Sequence, residues 1–132
     1  MSTMRLRPYT DLLARCGGGL SLAEAATALD VSCQAMHEQI HAGQVLSVML
    51  GDQMVVPKLQ IHARQGGRNE ILPGINRIVR LFRDSQAGPW AALPFLIEPD
   101  PNLSTTPIAA LRDGKVDAVA HAVSAYLRTD EE

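Results

Sequence analysis

Apolar and polar positions first fall into a clear pattern between Ser21 and Gly43. Ala25, Ala26 and Leu29 share one side of a helix predicted over about Leu22–Leu29, and Met36 and Ile40, with Val31, share one side of a second over about Cys33–Ala42. Ser21 followed by Glu24 is a capping-box pair, in which hydroxyl and carboxylate satisfy free N–H groups at a helix start. Asp30 suits a turn, Ser32 suits the N-cap of the second helix, and Gly43 suits its C-terminal stop. Two helices whose apolar faces close on each other through small Ala residues form a helix-turn-helix pattern, whose second helix lies in the DNA major groove.

The period then changes. Residues 44–50 and 53–56 are rich in Val, Leu and Met, and Gly51-Asp52 between them suits a type II′ hairpin. A hairpin directly after the second helix reads as a wing, with Pro57 ending its second strand and Lys58 at its base, placed to meet a phosphate. Upstream, Pro8 to Cys16 is predicted as a short helix, and Gly17-Gly18-Gly19 as a flexible joint. Arg5 and Arg7 are candidates for a basic arm. Residues 62–70 are polar and Gly-rich and are predicted as a loop or linker.

From residue 71 the pattern is helical. Ile75, Ile78, Val79, Leu81 and Phe82 recur through Asp84, with Arg77, Arg80 and Arg83 as one basic stripe on a solvated face. Pro89 opens a helix over about Trp90–Glu98. Thr106-Pro107 caps and opens another through Arg112, and a final helix covers about Lys115–Arg128. The predicted fold class is therefore mainly α: a winged helix-turn-helix with one β-hairpin (1–61), a linker (62–70) and a small all-helical C-terminal domain (71–132).

Composition narrows the class. Hydrophobic residues make up 46% of the 132-residue chain and charged ones 20%, so it can fold on its own core. No apolar run approaches bilayer length and no signal-peptide core opens the chain, so no membrane association is expected and the cytoplasm is the expected compartment. Two cysteines, Cys16 and Cys33, lack metal or disulfide spacing. The net charge of −2 is unevenly spread: residues 1–83 hold nine Lys/Arg against six acids, net +3, and residues 84–132 hold three against eight, net −5. A basic front suits phosphates and an acidic back suits another partner.

The candidate DNA-reading residues follow from the helical phase. With Met36 and Ile40 inward, Cys33, Gln34, His37, Glu38 and His41 point outward, while Ser32 and Lys58 are candidates for phosphates. Gln34 can pair bidentately with adenine, and Glu38 can accept from cytosine. His37 and His41 are spaced for a metal, but no third ligand shares their face, so no metal, cofactor or enzymatic activity is expected.

At Trp90 the sequence becomes more specific. The order W-x4-FL-x2-PDPNLSTTPIAALRDGKVDAV resembles the C-terminal toxin-binding domain of Xre/MbcA/ParS-type antitoxins, through Trp90, Leu96, Asn102, Leu103, Pro107, Leu111 and Gly114. The resemblance covers about residues 71–128. It implies a DNA-binding antitoxin that neutralises a cognate toxin, often of the NAD-consuming RES-domain type, and represses its own promoter as a homodimer or larger assembly. The quoted residues are expected to build that domain, and exposed neighbours to touch the toxin. The chain departs from Xre-type members in following its helix-turn-helix with a hairpin, as MerR and excisionase proteins do. It also carries no Lys or Arg from Val31 to Leu50. The alternatives are a stand-alone helix-turn-helix regulator or excisionase-like DNA-binding protein, and a pure interaction module.

Overall fold

The computed structural model describes residues 3–64 and 66–131. Helix α2 (Leu22–Leu29) starts on the expected capping box: Ser21 Oγ accepts from the Glu24 N–H and Glu24 from the Ser21 N–H. Hydrogen bonding from the Ser21 N–H, and then from the Ser21 side chain, holds the Glu24 carboxyl below the usual carboxylate range. Asp30 turns the chain in the left-handed region, at φ 57°. Helix α3 (Cys33–His41) then starts on Ser32, whose Oγ accepts from Ala35 N–H at 3.0 Å.

Strand β1 (Gly19–Leu20) precedes these helices, and β2 (Val48–Leu50) and β3 (Gln53–Pro57) follow. They form one antiparallel sheet in the order β1-β3-β2. Gly51 carries the positive φ of 65° that the first position of a type II′ turn requires. Met49 faces Met54 across the hairpin, and Leu20 faces Val56 on the other side of β3. Pro57 cannot donate to this ladder, so the Lys58 N–H bonds to Gly18 O at 2.9 Å instead.

Helix α1 (Thr3–Arg15) starts earlier than the Pro8 start expected. Pro8 removes only the hydrogen bond to Met4, near the start of the helix. Arg7 lies exposed on this helix, and the Arg5 side chain lies outside the described residues. The three glycines after α1 are not a flexible joint. Gly17 and Gly18 take positive φ to close the helix, with Gly18 N–H on Leu13 O at 2.8 Å, and Gly19 is already in the sheet. A Cβ on Gly19 would collide with Val55 Cγ1.

A second correction concerns residues 62–70. They form a second hairpin, of β4 (Ile61–Ala63) and β5 (Asn69–Ile71), so the chain has two hairpins where one was expected. These strands are three residues each, too short for an alternating pattern to stand out. They are held by a His62–Glu70 side-chain bond of 2.8 Å and by Asn69 Nδ2 donating to Ala28 O at 3.2 Å.

Helices α4 (Ile75–Arg83), α5 (Ala92–Ile97), α6 (Pro107–Arg112) and α7 (Val116–Glu131) complete the molecule. Pro89–Ala91 form a 3-10 turn before α5, so Trp90 precedes the helix expected to carry it. Gly74 starts α4 at φ 96°, and a Cβ there would sit 2.7 Å from Val116. The protein is thus mainly helical with a small antiparallel sheet.

The larger apolar core runs from Leu13 and Cys16 in α1, through Leu46, Val48 and Leu59, to α4, α5, α6 and α7. A smaller one holds Ala25, Ala26, Met36, Ile40, Val45 and Val56. Ile71 packs against both, so the larger core crosses the boundary expected at residues 62–70. At the crossing, the fully buried Gln60 side chain accepts from Leu46 N–H at 2.8 Å and donates to Leu46 O at 2.7 Å and Pro57 O at 3.0 Å. Replacing it with an apolar side chain strands buried backbone groups. Gln60→Leu is expected to cost about 2–4 kcal/mol in urea denaturation, and a loss near zero would contradict this role for the amide.

Candidate nucleic-acid interface

Burial of Met36 and Ile40 against Ala25 and Ala26 fixes the rotation of α3. Ser32, Cys33, Gln34, His37, Glu38 and His41 are consequently all exposed, as the helical phase predicts. Gln34 Nε2 lies 3.4 Å from Glu38 Oε1, a weak pairing that a base edge can displace. The His37 and His41 rings stack in parallel, with centroids 5.9 Å apart. Cys33 is free and exposed, while Cys16 is free and buried, and burial pushes its thiol up in pKa. Among the described residues no three His, Cys, Asp or Glu side chains gather into a metal-binding group.

The far end of α3 is held by the helical half of the chain. Arg83 donates to Ile40 O and His41 O, both at 3.2 Å, and so caps the last turn with a cation. Gly43, at φ 79°, gives Arg83 its space: a Cβ there would lie 3.3 Å from the guanidinium. The expected arginine stripe on α4 is therefore split between tasks. Arg77 pairs with Asp117, Arg83 caps α3, and Arg80 is exposed.

The β2–β3 hairpin is also anchored from behind. Trp90 Nε1 donates to Met49 O at 3.1 Å, and the Trp90 ring contacts Tyr9 of α1 at 4.6 Å. Leu96, Pro107 and Leu111 are buried, Leu103 packs on the core, and Gly114 turns at φ 80°. Asn102 donates its N–H to Asp100 Oδ1 in the loop before α6.

Lys58 is exposed beside Gly17 and Gly18 and lowers the Glu24 pKa electrostatically, which places it toward the start of α2. From Val31 to Pro57 no residue is Lys or Arg, so α3 and the β2–β3 hairpin present no fixed cation. Arg64 and Arg68, assigned to a linker by their Gly-rich setting, instead flank an open cleft beside the α2–α3 turn, lined also by Ala28, Asp30 and Val31. Strands of three residues carry no sequence signal that separates a hairpin from a linker. Nor does the sequence mark Arg83 as a helix cap, because its partners lie 42 and 43 positions away.

The overall architecture is similar to that of a solved structure, the NMR structure of Rv2175c, with a TM-score of 0.64 at 17% identity, covering 83% of this chain and 80% of that one. At that identity the likeness is one of fold. No family model and no curated protein matches the chain. Among the described residues, no helix is long and apolar enough to cross a membrane.

Arg83→Ala is expected to speed amide hydrogen exchange over the last turn of α3 and to cost about 1 kcal/mol of stability. Unchanged protection at Ala42–Gln44 would contradict the capping role.

Proposed function

We propose that this chain is a double-stranded DNA-binding regulator of winged helix-turn-helix type. In this reading α3 is the recognition helix and β2–β3 is the wing. The observation that carries it is the outward polar face of α3, from Ser32 to His41, on a helix whose opposite face is locked into the core. A rigid helix presenting short polar side chains suits a major groove. An antiparallel hairpin directly after it supports the same reading.

Gln34 is the side chain best placed to read a base, near the start of α3 where helices of this kind contact base edges. Ser32 lies at the same end and suits a backbone phosphate. A two-fold homodimer presents two such helices to a palindromic site, and the chain's own promoter is the natural first target to test. Gln34→Ala is expected to cost roughly 1–3 kcal/mol of binding and to relax specificity at one base pair. Selection of bound duplexes from a random pool, with both proteins, reads this out. An unchanged preferred site and affinity would remove Gln34 from the interface.

The antitoxin reading is the second, supported by the Trp90–Gly114 spacing and by one surface feature. Tyr9 and Met49 are the large apolar side chains most exposed among the described residues, 43% and 50%, and both adjoin Trp90. Such a patch suits a protein partner, here a cognate toxin. Co-expression with the product of the adjacent gene is expected to give a stable complex and restored growth, and Met49→Asp is expected to break that complex. Failure of both leaves the stand-alone regulator as the function.

A further inference from the structure

Resting on the DNA-binding reading above, we infer that the β4–β5 hairpin is a second, phosphate-binding wing, with Arg64 and Arg68 as its contacts to the duplex backbone. The need for it is electrostatic. Cation–phosphate contacts supply most of the sequence-independent affinity of DNA-binding proteins. The presumed reading surface from Val31 to Pro57 holds no Lys or Arg, and the wing tip carries Asp52.

The hairpin is where those cations are supplied. Its strands pair Ile61 with Ile71, His62 with Glu70 and Ala63 with Asn69. Arg64 and Arg68 close its end through an Arg64 N–H bond to Arg68 O. Gly67, at φ 85°, donates its N–H to Arg64 O at 3.0 Å. Side chains on this closed end would have no fixed relation to α3 if the hairpin swung freely, but it does not. Asn69 bonds to Ala28 O in the last turn of α2, Leu72 N–H bonds to Gln60 O at 2.8 Å, and Ile71 is wedged between the two cores.

Both arginines therefore stand beside Asp30 and Val31, immediately before the Ser32 N-cap of α3. In this reading a DNA backbone strand bordering the groove occupied by α3 passes this point. The cleft lining also carries Asp30 and Glu70, which balance the two arginines in formal charge, but neither acid holds both guanidinium groups. Glu70 is shared between His62 at 2.8 Å and Arg64 at 3.6 Å, and the Arg64 side chain remains 71% exposed. Arg68 is exposed and forms no ion pair among the described residues. Arginine forks bind phosphate oxygens in pairs, and a glycine beside them lets a backbone approach.

The test measures binding of a random-sequence DNA duplex and of a selected duplex by fluorescence anisotropy across a salt series. It compares the wild-type chain, Arg64→Ala/Arg68→Ala and Arg64→Lys/Arg68→Lys. The alanine pair is expected to bind both duplexes more weakly and to flatten the plot of log affinity against log salt by about 0.9 per arginine. The preferred sequence is expected to stay the same, and the lysine pair to keep the wild-type slope. Wild-type binding with an unchanged slope in the alanine pair overturns the second wing and leaves the DNA-binding reading standing. Absence of binding to any duplex by the wild-type chain overturns both. A changed base preference in the alanine pair also overturns the phosphate assignment, because phosphate contacts carry no sequence information.

Discussion

The buried amide of Gln60 is the constraint on which the arrangement depends. A carboxamide removed from water must have its oxygen and its nitrogen matched, or it costs more than an apolar residue would. Gln60 meets that demand by pairing with both backbone groups of Leu46 and with the carbonyl of Pro57. One side chain thereby fixes the entry to the β2–β3 hairpin relative to its exit. The Gln60 carbonyl takes the Leu72 N–H, so the same residue also sets where the second hairpin hands over to α4.

From that point the helical half acts as a frame for the front half. Arg83 of α4 caps α3, Trp90 holds the back of the β2–β3 hairpin, and α1 packs against α5. These contacts limit motion of the proposed recognition helix and wing, so less ordering cost falls on binding. They also join the two regions energetically. A partner that shifts Trp90 or α4 changes the support of α3, and by reciprocity an occupied α3 changes affinity for that partner. In the antitoxin reading, this is the physical route by which a toxin on the Tyr9–Met49 patch would tune repression.

How legible the molecule was in its sequence follows the range of the interactions. The capping box at Ser21 and Glu24, the Ser32 cap, the Gly43 stop and the Thr106-Pro107 start act over a few residues, and each matches its local pattern. The outward set on α3 was legible for the same reason, since Met36 and Ile40 fix its phase. The β4–β5 hairpin was not: its strands are three residues each, and its anchor on Ala28 is 41 residues away. Gly19 read as part of a joint, but a side chain distant in sequence, Val55, requires it, as Val116 requires Gly74. The basic stripe on α4 was visible as a pattern, yet only tertiary packing divides Arg77 from Arg83 in role.

In the proposed complex α3 presents its exposed polar face to a DNA duplex, with the Arg64–Arg68 hairpin beside it. Titration of the isotope-labelled chain with duplex DNA, followed through backbone amide chemical shifts, tests this directly. Shifts are expected to concentrate at Ser32–His41 and at Arg64, Gly67 and Arg68, with α5, α6 and α7 largely unmoved. Shifts confined to α5, α6 and α7, or no shifts at low salt, would contradict it.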